Sequence, residues 1–116
     1  MNTYSSIITK KILTPYKQWQ IEQKHIPKMN RYSLGIKIDS LFVLLIELMQ
    51  YAQYSDRKIP YLNKIIVEVN VLKNLLLILY EIQGISEKAY IQMSTDIEEV
   101  GKMVYAWNKR LGAKKA

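Results

Sequence analysis

Hydrophobic residues recur along the chain at spacings of three and four, which is the period of an amphipathic α-helix. No segment shows the strict apolar–polar alternation of a strand bounded by turn residues. The pattern predicts four helices, over about residues 15–26, 30–54, 59–83 and 86–111. Short connections such as YSDRK favour antiparallel neighbours. We therefore expect an all-α, up-and-down antiparallel four-helix bundle.

Several of the expected helix ends carry suitable capping residues. Thr14 can cap the first helix, with Pro15 at the first helical position. Gly84 suits the C-terminal cap of the third helix. Ser86 followed by Glu87 suits the start of the fourth, because the hydroxyl accepts from a free N–H and the acid complements the helix dipole.

These ends divide the chain into three parts. Residues 1–14 form either an N-terminal arm or an extension of the first helix, since their apolar residues fit both. Residues 15–111 form the bundle, and residues 112–116 a basic C-terminal tail.

The third predicted helix is apolar around most of its circumference. One seam repeats at the spacing of a bundle interior and contains Leu62, Ile65, Val69, Leu72, Leu76 and Leu79. A second apolar stripe follows another side and contains Val67, Val71, Leu75, Ile78 and Ile82. A four-helix bundle buries about one face of each helix, so the second stripe needs another partner. We expect it to be the interface of a homo-oligomer; the alternative is an unusually central helix in a monomer.

Charge adds a second expectation. The 116 residues include 17 Lys and Arg against 10 Asp and Glu, for a net charge of +7, and the surplus is concentrated near both ends. Such a surplus indicates nucleic acid, an acidic protein or an anionic membrane as partner, or serves solubility alone. The candidate contacts to phosphate or a partner are Lys28, Arg31, Lys102, Lys109 and Arg110, followed by Lys10, Lys11, Lys17 and Lys24. Exposed tyrosines near cations can stack on bases, as Tyr16, Tyr32 and Tyr105 would, although core packing also explains tyrosines.

The residue types that carry catalysis are scarce. There is no cysteine, and His25 is the only histidine, which excludes thiol chemistry and a histidine metal cluster within one subunit. The chain has no phosphate-binding glycine loop and no nucleophile elbow. Small helical ribonucleases carry an arginine shortly before a histidine, but here the first arginine, Arg31, follows His25. We expect no enzyme, no metal and no cofactor.

The same features suggest a location. The first residues lack an apolar signal core, and the longest apolar runs are too short to span a bilayer. The lack of disulfides suits a reducing compartment. We expect a cytoplasmic protein that does not contact a membrane.

Three stretches, in order, carry a family resemblance: HIPKMNRYSLG (25–35), LKNLLLILYEIQGISEKAY (72–90) and IEEVGKMVYAWNKR (97–110). Over about residues 16–110 the chain resembles the Avd-like family, the accessory variability determinants of diversity-generating retroelements. The most specific positions are Pro27-Lys28, Arg31, Leu34-Gly35 and Gly101-Lys102-Met103 ahead of Trp107. Read locally, the first stretch is a helix–helix corner in which Gly35 permits close backbone packing.

The resemblance implies a four-helix subunit of a five-membered barrel with a basic outer surface. It also implies binding to a reverse transcriptase and to its RNA or DNA, in support of mutagenic retrohoming. Two hypotheses follow. The protein is either a non-enzymatic accessory subunit of this kind or a structural, protein-interaction bundle without nucleic-acid binding.

Overall fold

The computed structural model describes residues 3–115, and every secondary-structure element in that part of the chain is helical. Helix α1 spans Thr3–Glu22 and continues into a 3₁₀ turn, Gln23–His25. Helix α2 is built from three contiguous segments: Lys28–Asn30, a π-helical turn Arg31–Gly35, and Ile36–Tyr54. Helix α3 spans Ile59–Glu81 and α4 spans Glu87–Lys115.

The four helices form an elongated bundle of 49 × 19 × 19 Å. Helix α1 packs against α2 and α4, and α3 packs against the same two helices from the other side. Consecutive helices must run antiparallel, because the connections 55–58 and 82–86 are far shorter than the helices they join. The predicted four-helix bundle is confirmed for the single chain.

The core contains residues from all four helices, and α3 contributes the predicted seam. All six seam residues are buried, and so are the large side chains Trp19 of α1 and Phe42 of α2, whose rings stack 6.4 Å apart. In α4 an apolar stripe from Ala89 to Trp107, with residues spaced three or four apart, is likewise buried, with Leu111 half-buried at its end. The three-four spacing therefore located the interior of the bundle.

The start of α1 differs from the sequence prediction. The helix begins at Thr3 instead of near residue 15, so Pro15 lies inside it and Thr14 is not its cap. An internal proline loses one hydrogen bond and costs about 3 kcal/mol. Burial of Ile8, Ile12 and Pro15 itself against the other helices outweighs that cost, since packing stabilises helices more than local propensity does.

Residues 3–14 are thus a helical extension, while residues 1 and 2 of the predicted arm lie outside the described residues. The predicted tail also differs, because α4 continues through residues 112–115. A single glycine, Gly112, lowers helix propensity by about 1 kcal/mol and does not end a helix followed by Ala and Lys. Residue 116 lies outside the described part.

The C-terminal cap of α3 differs from the prediction, which placed it at Gly84. Gln83, not Gly84, has the positive φ of 64°. The Gly84 N–H donates to the Leu79 carbonyl at 2.7 Å and the Gln83 N–H to the Tyr80 carbonyl at 2.8 Å, which is the Schellman arrangement. Gly84 is needed for space, because a Cβ there would lie 2.3 Å from Leu79 Cδ1.

The predicted cap of α4 is confirmed: Ser86 Oγ accepts from the Ala89 N–H at 3.1 Å.

Candidate nucleic-acid interface

The bundle has two ends of different composition. The corner end contains the α1–α2 corner and the α3–α4 connection, which share a groove lined by Pro27 and Gly84. The terminal end contains the start of α1, the α2–α3 connection and the last turns of α4. There the Tyr4 ring stacks on Trp107, with ring centroids 5.8 Å apart.

All nine candidate cations are exposed, but they do not form one patch. Lys24, Lys28 and Arg31 lie at the corner end, whereas Lys109 and Arg110 lie at the terminal end. Gln18 of α1 donates to Gln92 of α4, which fixes the register between these helices. At 1.5 Å per residue, Arg110 lies about 27 Å along the axis from that bond, on the side away from the corner.

The remaining candidates connect the two ends along outer helix faces. Lys10 and Lys17 are seven residues, or two turns, apart, so they share one face of α1. Lys24 follows after another seven residues, in the 3₁₀ turn that continues the helix. Lys102 and Lys109 share a face of α4 for the same reason. Since α1 and α4 pack together, these two rows of lysines lie on neighbouring outer faces. Lys11 lies one position further round α1.

Arg31 has a structural role at the corner. Its guanidinium Nη2 donates to the carbonyl oxygens of Lys24 and Ile26, both at 3.1 Å, and so binds the chain leaving α1. Lys28 makes no such bond and sits with its ammonium 6.0 Å from the centre of the Tyr32 ring. The two corner cations are therefore not equivalent. The Lys28 ammonium is available to an anion, whereas one guanidinium nitrogen of Arg31 is already bonded to the backbone.

Gly35 does not provide the close packing expected of it. A Cβ added there would meet its nearest neighbour, the Asn30 carbonyl oxygen, at 3.5 Å, which is ordinary contact. The glycine instead ends the π-helical turn. Close approach occurs at Gly101, where a Cβ would lie 3.2 Å from Val69 Cγ1, so α3 and α4 come together there.

Replacing Arg31 by alanine is expected to lower the free energy of unfolding by about 1 kcal/mol, because two backbone acceptors lose their charged donor. Lys28→Ala, which removes the same charge from the same corner, should leave stability unchanged. Urea unfolding of both variants checks this. Equal losses for the two variants would contradict the structural role of Arg31.

At the terminal end, Arg110 is held over an aromatic ring. Its guanidinium carbon lies 5.0 Å from the centre of the Tyr4 ring, within cation–π range. Asn108 donates to Asn63 at 2.7 Å, which ties this part of α4 to the first turns of α3. Lys109 follows directly and is exposed. The two cations are thus presented on a fixed part of the bundle.

Lys102 lines a groove between α3 and α4, next to Gly101 and the exposed Tyr105. The groove also contains Lys73, which the sequence analysis did not single out and whose ammonium lies 3.9 Å from Glu98. The sequence does not indicate the pair of Lys73 and Glu98, because these residues are far apart in the chain and come together only when α3 packs against α4.

The tyrosines named from the sequence fall into two groups. Tyr16 is half-buried and packs on Phe42 with ring centroids 5.4 Å apart, so it belongs to the core. Tyr32 and Tyr105 are exposed. Another pair, Tyr51 and Tyr54, is also exposed at the terminal end. Two features of the sequence could have indicated this pair. Tyr51 and Tyr54 are three residues apart at the end of a helix, and the short connection that follows brings Tyr61 back to the same end of the bundle.

The second stripe of α3 is largely uncovered in the single chain. Val67, Val71, Ile78 and Ile82 are between 37% and 57% exposed, and Leu75 is half-buried. The stripe lies on the outer side of the helix, away from the seam that fills the core. The stripe extends from Val67 to Ile82, which directly follows the last residue of α3, and four of its five side chains are exposed.

Two further features concern residues 3–115 only. These residues include no group of three or more His, Asp or Glu placed to hold a metal ion. No helix in this part of the chain is both long and apolar enough to cross a bilayer.

Comparison with protein families identifies the chain. A family model described as bAvd-like matches residues 6–111. The protein belongs to the bAvd-like family. The match covers all four helices and confirms the resemblance to Avd-like proteins that the three sequence stretches carry. Searches of curated proteins and of solved structures found no match.

Proposed function

We propose that this bAvd-like protein is a non-enzymatic accessory subunit of a diversity-generating retroelement. It assembles as a homo-oligomer of five copies and binds RNA or DNA and the reverse transcriptase through its basic surfaces. The observation that carries the proposal is the family match over residues 6–111. The reverse transcriptase and the five-fold assembly come from the family resemblance, and the surfaces of the chain are compatible with both.

The distribution of charge supports binding to nucleic acid. Among residues 4–113, whose side chains the structure describes, the ion pairs are Lys64–Glu68 at 3.7 Å and Lys73–Glu98 at 3.9 Å, and neither involves a candidate cation. The nine candidates are therefore exposed and free of carboxylate partners in the described part of the chain. Such cations contact phosphates without reading base identity, and they release counterions when they do so.

The apolar stripe of α3 supports assembly. Exposed apolar surface costs about 25 cal/mol per Å², so five aliphatic side chains in a row favour a partner that covers them. A second copy of the chain can be that partner, because it is present wherever the protein itself is present. In a ring the stripe would be covered in each subunit, leaving the lysine faces of α1 and α4 for other contacts.

The nucleic-acid half of the proposal is tested by affinity measured against salt. Fluorescence anisotropy with a labelled single-stranded RNA should give a log K that falls linearly with log salt, by about 0.7 for each phosphate neutralised. The affinity should vary little with base sequence. A flat salt response, or no binding near physiological ionic strength, would favour the structural, protein-interaction alternative.

A further inference from the structure

Three tyrosines meet at the terminal end of the bundle, where α2 ends and α3 begins. Tyr51 and Tyr54 are one turn apart at the end of α2, and Tyr61 lies in the first turn of α3. The rings of Tyr51 and Tyr61 are stacked, with centroids 5.7 Å apart and planes 22° apart. Together with Gln50 and Ser55 they line a shallow, mostly apolar pocket.

Two of these three tyrosines are not core residues. Tyr61 packs against the core, but Tyr51 is 56% exposed and Tyr54 is 78% exposed. Tyr51 therefore covers Tyr61 with one face and turns its other face outward. The result is a stack of aromatic rings that ends at the surface, where another flat ring can continue it.

The connection beneath the rings is held rigidly. The Lys58 ammonium donates to the carbonyl oxygens of Ala52, Gln53 and Ser55 at 2.7, 3.0 and 3.0 Å, and so caps the end of α2. The Arg57 N–H donates to Ser55 Oγ at 3.0 Å and closes the turn. Rings on a fixed backbone lose little entropy when a ligand stacks on them.

A cation lies next to this pocket in the sequence. Arg57 follows two residues after Ser55, which lines the pocket, and it is exposed, without a carboxylate partner in the described part of the chain. Aromatic rings bordered by cations bind single-stranded nucleic acid, because the rings stack on bases and the cations contact the backbone.

We propose that Tyr51, Tyr54 and Tyr61 form a platform that stacks on an unpaired base of single-stranded nucleic acid, with Arg57 contacting its phosphates. This inference rests on the proposed nucleic-acid binding and goes beyond it. Backbone contacts alone make no use of the bases, whereas the platform requires them to be present and unpaired.

The test separates bases from phosphates. Anisotropy compares a labelled oligothymidylate with an abasic strand of the same length, which keeps every phosphate and lacks the bases. The wild-type protein should bind the oligothymidylate at least about fivefold more tightly, as expected for one or more stacked bases. Tyr51→Ala with Tyr54→Ala should remove this difference and leave binding to the abasic strand unchanged.

The matched control removes two exposed apolar side chains that belong to no candidate set, Ile21→Ala with Ile91→Ala, and should keep the preference. Tyr51→Phe with Tyr54→Phe should keep it too, because the ring faces remain. Thermal unfolding followed by circular dichroism verifies that the alanine variants are folded.

Each other result has a definite meaning. If the wild-type protein binds neither strand and also fails to bind the single-stranded RNA of the salt series, the proposed nucleic-acid binding is wrong and the platform with it. If it binds that RNA but neither of these strands, only the platform is wrong. If it binds both strands equally, or if the control pair also loses the preference, the platform is wrong and backbone binding stands. An unchanged preference in the Tyr51 and Tyr54 variant would overturn the proposal, and a lower assembly mass in the same variant would show that these rings belong to a protein interface.

Discussion

Exchanging Lys109 and Arg110 together for glutamate is expected to abolish RNA binding near physiological salt. Both side chains are exposed on the last turns of α4, and Asn108 fixes this part of the helix to α3. The exchange replaces two phosphate contacts by two repulsive charges. In lower salt, where residual binding is measurable, the slope of log K against log salt should fall by about 1.4, which is about 0.7 for each lost phosphate contact. Anisotropy over a salt series measures both effects.

The control is a double exchange with the same change in net charge, Lys37→Glu with Lys88→Glu, at exposed positions outside the candidate set. It should weaken binding far less. Because Arg110 also lies over Tyr4, unfolding of the Lys109 and Arg110 variant must be compared with wild type. Equal loss of binding in the two variants would mean that net charge, and not this surface, determines affinity.

Exchanging Ile78 for glutamate is expected to reduce the assembly to single chains. Ile78 lies in the middle of the exposed α3 stripe and is already 46% exposed in the isolated subunit, so a carboxylate there costs the fold little. In an interface the same carboxylate would be buried without a partner, at a cost of several kcal/mol for each copy. Multi-angle light scattering at micromolar concentration measures the mass.

The matched control for assembly is Ile91→Glu, which alters an isoleucine of similar exposure on α4. It should leave the mass of the assembly unchanged. A monomer for both variants would indicate a general effect of added acid. An unchanged assembly for Ile78→Glu would place the interface elsewhere and remove the role assigned to this stripe.

The buried seam of α3 followed from the sequence because core packing repeats with the period of the helix, from Leu62 to Leu79. The uncovered stripe beside it followed from the same periodicity. Helix starts were less predictable, because local signals and packing disagree at Pro15. A proline suits the first helical turn, yet the burial of Ile8 and Ile12 extends α1 past it.

The candidate site was predicted only in part, for a related reason. Charge and exposure along the chain identified the cations, but not that Arg31 binds two backbone carbonyls or that Lys28 and Lys109 lie at opposite ends. The tyrosine platform depends on a contact between Tyr51 and Tyr61 across a connection. Such contacts arise from how helices pack, which residue spacing within one helix does not determine.

The most direct test of the central claim is sedimentation velocity followed through a label on single-stranded RNA. We expect the RNA to sediment with an assembly of several copies of the 13.7 kDa chain, and with five copies if the subunit number of the family holds. RNA that sediments alone at near-physiological salt, or together with a single chain, would contradict the account.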